Sequence, residues 1–178
     1  MHPTFQCLAP GVDEARRDGE TALALVSRLA LAKAQAVAAQ HPDAWVIGSD
    51  QAAVLMDGAE PQTILGKPGS KARCIEQLRS CSGAAIAFLT AVAVVRDRDA
   101  STVEFVDTTR VKFRALDEPA IERYVARESP FDCAGGFKSE GLGISLCESI
   151  DSVDPTALIG LPLIRLCAVL REAGFELP

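Results

Sequence analysis

The chain has 178 residues, 48% of them hydrophobic and 24% charged, with a net charge of −6, which fits one globular domain (residues 1–178) with room for a full core. That acidity argues against a nucleic-acid polymer as partner, because binding a phosphate backbone calls for a basic face. A single nucleotide stays open, since two or three local cations and a divalent metal suffice for one small anion.

The longest uncharged run, Ser80 to Val95, contains serines, a threonine and a glycine and falls short of the roughly 18 apolar residues of a membrane span, so no membrane partner is expected. Met1-His2-Pro3-Thr4-Phe5 lacks the basic and apolar regions of a secretory signal. Six cysteines, Cys7, Cys74, Cys81, Cys133, Cys147 and Cys167, are scattered without a Cys-x-x-Cys pair. They read as reduced, mostly buried thiols of a cytoplasmic protein, with a disulfide framework as the alternative. The only histidines are His2, in the N-terminal tail, and His41, just before Pro42. A Ser-His-Asp or Cys-His system has no credible base here, and a His-rich zinc site is equally excluded. Any catalysis must rest on carboxylates, lysines and a hard metal ion.

In chain order, Phe5 to Asp13 reads as extended and closes on the carboxylates of Asp13 and Glu14. Asp18 is placed to cap a helix running to about Gln40, with Leu23, Val26, Ala30 and Val37 as its apolar stripe. Lys33 lies on or beside that stripe, either snorkelling past the core or reaching into a cleft to meet an anion. From Trp45 an apolar run stops at Gly48-Ser49-Asp50-Gln51 and resumes at Ala52. That break is either a solvated turn or the point where a strand delivers Asp50 to a cleft, where a buried carboxylate needs a cation, a metal or a hydrogen bond. Asp57-Gly58 marks a hairpin. Gly66-Lys67-Pro68 is a turn around a lone lysine.

Ser70 caps a helix through Leu78. Ala84 to Val95 is the most buried strand, Arg96 to Asp99 a polar turn, and Thr102 to Phe113 a returning strand with one exposed face. Asp117 caps a helix, with Pro119 in its first turn, to about Arg127. Cys133 to Ile144 holds four glycines with Lys138 and Glu140. It is either a plain connection or a loop whose backbone approaches a ligand, and it matches neither a P-loop nor the dinucleotide fingerprint. Ile144 to Ile150 reads as a strand, Asp154-Pro155 as a loop, and Leu161-Pro162 as the start of a last helix that Gly174 ends. The elements predict an α/β domain with a mixed, twisted sheet flanked by helices. Glu14, Lys33, Asp50, Lys67, Lys138 and Glu140 fall at strand ends and loops. Acids and lysines without histidine suit metal-assisted attack of water on a phosphate anhydride.

Val12-Asp13-Glu14, Leu29-Ala30 with Lys33-Ala34, Ile47-Gly48-Ser49-Asp50-Gln51, Gly66-Lys67-Pro68, Ser82-Gly83 followed by Thr90, and Ile159-Gly160-Leu161-Pro162-Leu163 together resemble the Maf family of nucleoside triphosphate pyrophosphatases. Within that family, Phe137-Lys138-Ser139-Glu140-Gly141 looks like the branch that hydrolyses 7-methyl-GTP. The resemblance implies a fold like that of Maf proteins and inosine triphosphatases, a divalent metal (magnesium or manganese), the cytoplasm and a possible homodimer. It implies hydrolysis of the triphosphate to the monophosphate and pyrophosphate, with Asp50 as proton acceptor and Gln51 and Glu140 selecting the base. Glu14 joins Asp50 as a metal or water-positioning partner, and Lys33, Lys67 and Lys138 are the remaining substrate contacts. The alternatives are a dTTP- or UTP-type pyrophosphatase and a non-catalytic, nucleotide-binding regulator of cell division. Family members open with a strand and a Ser-Pro-Arg loop that this sequence lacks. The expectation is therefore an upstream start or a shortened chain, with weak activity and an exposed sheet edge prone to association.

Overall fold

The computed structural model describes residues 5–58 and 60–178; His2 lies outside them. Five strands form one sheet in the order β2-β1-β3-β4-β5: β1 Val46–Asp57, β2 Glu60–Leu65, β3 Ala85–Arg96, β4 Ser101–Phe113 and β5 Cys147–Asp151. The α/β domain is as the sequence predicts, but the mixed sheet is not: all four pairings are antiparallel. Tight connections explain this for two of them. The Asp57-Gly58 hairpin joins β1 to β2, and a single 3-10 turn at Asp97–Asp99 joins β3 to β4, links too short for a parallel crossover.

Four helices flank the sheet: α1 Ala22–Ala38, α2 Lys71–Cys81, α3 Glu118–Glu128 and α4 Leu163–Glu172. Ser70 and Asp117 cap α2 and α3 as expected, each side chain accepting a backbone N–H three residues on. Helix α1 starts later than predicted. Its cap is Thr21, which accepts from the Ala24 N–H, rather than Asp18. Its buried stripe is Ala22, Val26, Leu29, Ala30, Ala34 and Ala38, while Leu23 is exposed. Residues 142–146 form a 3-10 turn instead of the start of a strand, so β5 begins only at Cys147. The cysteines divide: Cys74 and Cys81 are buried, Cys133, Cys147 and Cys167 half-buried and Cys7 exposed, all with free thiols. Burial pushes Cys81 up to about 12 and Cys74 up to about 11, which makes both poor nucleophiles.

The break read at Gly48 to Gln51 is not a break, because β1 continues through it. Alternation along an unbroken strand then sends neighbouring side chains to opposite faces. Ala52 and Val54 join Ala91, Ala93 and Val95 of β3 beneath the alanine stripe of α1. Ala53 turns to the other face with Phe88, Val111 and Phe113, under α2, α3 and Phe137. Farther along that second face, Val92 and Val94 meet Leu166 and Val169 of α4. Small residues bring α1 close to the sheet. A Cβ at Gly48 would stand 2.3 Å from the Ala30 carbonyl oxygen and 2.7 Å from the Ala34 nitrogen, both on the helix backbone and unable to yield without moving α1.

Gly48→Ala is therefore expected to destabilise the fold by about 1–3 kcal/mol through overpacking, read as a lower urea midpoint. A midpoint equal to the parent's would contradict the close contact between α1 and β1.

Candidate active site

Asp50 sits mid-strand on the face that carries α1, and Lys33 comes down from α1, one turn after Ala30, to meet it. The Lys33 Nζ lies 2.7 Å from the Asp50 Oδ1 and 2.7 Å from a Glu14 carboxylate oxygen. The Lys33 ammonium does not run past the core to water but bridges two acids. Glu14 reaches the cluster from a segment without regular structure, which is tied to α1 by its own contacts. The Arg28 guanidinium donates to the Glu20 carboxylate and to the Ala15 carbonyl. The Glu20 carboxylate also accepts the Arg17 N–H, and Arg28 beside it holds it down at about 2. The backbone on the C-terminal side of Glu14 is thereby fixed against α1, an arrangement the sequence pattern did not disclose.

The two carboxylates differ in their protonation. The hydrogen bond from Lys33 holds Glu14, half exposed, below the ordinary carboxylate range. Burial pushes Asp50 above its ordinary range, and Lys33 offsets that only in part. Lys33 itself loses solvation, yet the hydrogen bonds to Asp50 and Glu14 outweigh that loss and hold its pKa above normal. Lys67, in the turn after β2, adds positive field at both carboxylates. The cluster thus combines a charged lysine, an ionised acid and a second acid whose hold on a proton is strengthened by burial, the property of a proton acceptor.

The remaining sequence-predicted residues lie elsewhere. Gln51 points to the opposite face, where its side-chain amide donates to the Thr90 Oγ1 at 2.9 Å and to the carbonyls of Ala157 and Leu158 at 3.1 and 3.2 Å. Thr90 also donates to the Ala157 carbonyl, and the Ser49 hydroxyl bonds the Gly160 carbonyl at 2.8 Å. The residues on either side of Asp50 therefore clamp the 157–160 segment to the sheet. That role for Gln51 and Thr90 follows from strand alternation, and an unbroken β1 would have signalled it. The glycine-rich loop packs on the same second face: the Gly135 N–H donates to the Gly66 carbonyl at 3.2 Å, which ties it to the turn that carries Lys67. Lys138 pairs with Glu128 of α3 at 3.2 Å. Glu140 is exposed, its carboxylate accepting the neighbouring Ser139 hydroxyl at 3.3 Å.

A family model described as Maf-like protein matches residues 1–173. The chain belongs to the Maf family. Proteins named 7-methyl-GTP pyrophosphatase are similar to this Maf chain over nearly all of it. One from Albidiferax ferrireducens is 50% identical over 172 residues, covering 97% of this chain and 84% of its own length. Another from Xanthomonas axonopodis pv. citri is 52% identical, covering 98% and 88%. A third from Pseudomonas aeruginosa is 48% identical with the same coverage. Among the described residues of this Maf domain no helix is long and apolar enough to cross a membrane.

Removing the Lys33 ammonium leaves Asp50 and Glu14 facing each other uncompensated, so Lys33→Met is expected to cost about 3 kcal/mol of stability at neutral pH. The pH dependence has a definite sign. An acid whose folded-state pKa is raised binds its proton more tightly when folded, so the penalty is full above that pKa and fades as pH falls through it. Urea unfolding at pH 8 and pH 5 checks this: a smaller gap between variant and parent at pH 5 is expected, and an equal or larger one would contradict the ion cluster.

Proposed function

We propose that this Maf protein hydrolyses 7-methyl-GTP to 7-methyl-GMP and pyrophosphate in the cytoplasm, with Asp50 as the proton acceptor. The observation that carries the reading is the pair of carboxylates held on one lysine, Glu14 and Asp50 each 2.7 Å from the Lys33 Nζ. The names of the similar proteins support the substrate. In the proposed step, a water molecule loses a proton to the Asp50 carboxylate as its oxygen bonds to phosphorus. The bond between the first phosphorus and the oxygen that bridges it to the second breaks, and that oxygen leaves with the electron pair on pyrophosphate. Burial favours protonated Asp50, and this assists the transfer. Lys33 keeps the acceptor ionised beforehand, and Lys67 neutralises phosphate oxygens as they arrive.

The donor set also suits a divalent metal. Among the described residues no three His, Cys, Asp or Glu side chains group to hold an ion alone, and magnesium commonly uses one or two carboxylates together with substrate phosphates. Glu14 and Asp50 would hold magnesium or manganese, with phosphate oxygens completing the shell. The ion would supply positive charge that acidifies water and offsets the charge of the triphosphate. On the second face, Glu140 suits the base: methylation at N7 makes guanine cationic while its N–H donors remain, so an exposed carboxylate meets both features. Gln51, bonded to Thr90 and the 157–158 carbonyls, acts by holding that side of the site.

Asp50→Asn keeps the shape and removes the acceptor, so pyrophosphate release from 7-methyl-GTP with magnesium is expected to fall about 100- to 10,000-fold while the thermal midpoint holds. Chelation of the metal is expected to stop release, and added magnesium or manganese to restore it. Tight binding of 7-methyl-GTP without release by the parent would favour a nucleotide-binding regulator instead.

A further inference from the structure

The segment that carries Glu140 has no regular secondary structure between its two 3-10 turns, Ala134–Gly136 and Leu142–Leu146, yet it is fixed at three points by one face of α3. Tyr124, buried on α3, uses its hydroxyl twice: it donates to the Gly136 carbonyl at 3.2 Å and accepts the Lys138 N–H at 3.0 Å. Burial pushes its phenol well up, so the hydroxyl keeps its proton and can serve both bonds. One helical turn later, the Glu128 carboxylate accepts the Leu142 N–H at 2.7 Å and pairs with the Lys138 ammonium at 3.2 Å. The same carboxylate lies so close to the loop that a Cβ at Gly141 would stand 2.6 Å from both of its oxygens. Positions 136, 138 and 142 are thus held from one helix, and Glu140 lies between the last two.

We propose that Tyr124 and Glu128 are positioning residues for base selection: spaced four apart on α3, they staple the loop so that the Glu140 carboxylate meets the methylated guanine in a fixed place. The proposal rests on the reading of Glu140 given under Proposed function. Among the described residues the Glu140 side chain bonds only Ser139, so its aim comes from its backbone, and its backbone is set by α3. A recognition group held this way loses selectivity when its support loosens, before the chemistry on the opposite face of the sheet is touched. Lys138 belongs to the staple through its ammonium, which pairs with Glu128 at 3.2 Å.

The test compares kcat and KM for 7-methyl-GTP and GTP in the parent, Glu140→Ala, Glu128→Ala, Glu128→Gln, Tyr124→Phe and the double variant Glu128→Ala with Glu140→Ala. The expected result is a roughly tenfold or larger fall in preference for 7-methyl-GTP in Glu128→Ala and Tyr124→Phe, carried by KM more than by kcat. Glu128→Gln, which keeps an acceptor for the Leu142 N–H, is expected to recover part of that loss. In the double variant, Glu128→Ala is expected to cost nothing further, since both changes act through one side chain. Glu128 is half-buried, less enclosed than Tyr124, so its variants keep the test decisive if Tyr124→Phe does not fold. The proposal alone is overturned if Glu140→Ala loses the preference while both Glu128 variants retain it, or if the two losses multiply in the double variant. A parent that shows no preference for 7-methyl-GTP, or a Glu140→Ala variant that keeps it, overturns the reading of Glu140 and the staple's role with it.

Discussion

One ammonium group between two carboxylates organises this molecule. Lys33 stands where α1 crosses β1, and its charge is what lets Asp50 and Glu14 both stay ionised so close together. The surrounding sequence serves that contact. Gly48 and the alanines of α1 and β3 let the helix lie close enough for a lysine stem to reach the strand. The Arg28 and Glu20 pair fixes the otherwise irregular segment next to Glu14. Burial then distinguishes the two acids: the half-exposed one remains an ordinary anion, and the enclosed one binds a proton more readily.

The sheet divides the remaining work between its faces. A cluster of opposite charges gathers on the side of α1, where Lys33 and the field of Lys67 oppose the carboxylates. The opposite side holds the polar clamp of Ser49, Gln51 and Thr90 on residues 157–160 and the loop that presents Glu140. The backbone link from Gly135 to Gly66 joins this loop to the turn of Lys67, so the two halves are mechanically connected.

Much of this was legible in the residues. Asp50 stood out because an acid within an apolar run must be compensated, and Lys33 because its place on the stripe of α1 had only two explanations. The caps at Ser70 and Asp117 and the hairpin at Asp57-Gly58 follow from local chemistry and are found where it puts them. Misreadings came where tertiary contacts override local pattern. Thr21 caps α1 although Asp18 is equally suitable in kind, and Leu23 continues a helical stripe in sequence but faces water. Treating Gly48 to Gln51 as a break hid the alternation that separates Asp50 from Gln51. The mixed sheet was expected because hairpin and helical links were both present, and the chain in fact reverses at each pairing. Tyr124 and Glu128 left no local signal. Tyrosine fits an apolar stripe and glutamate a helix end, and their partners lie 10 to 14 residues farther along the chain in a loop without regular periodicity.

The titration of Asp50 itself reaches the centre of this account. Carboxyl carbon-13 NMR, with Asp50→Asn used to assign the resonance, would follow its protonation while kcat/KM for 7-methyl-GTP is measured over the same pH range. The account predicts a midpoint above the ordinary aspartate value of about 3.8, with the acid limb of the rate profile following it. A midpoint at or below that value, or an acid limb that ignores the Asp50 titration, would contradict it.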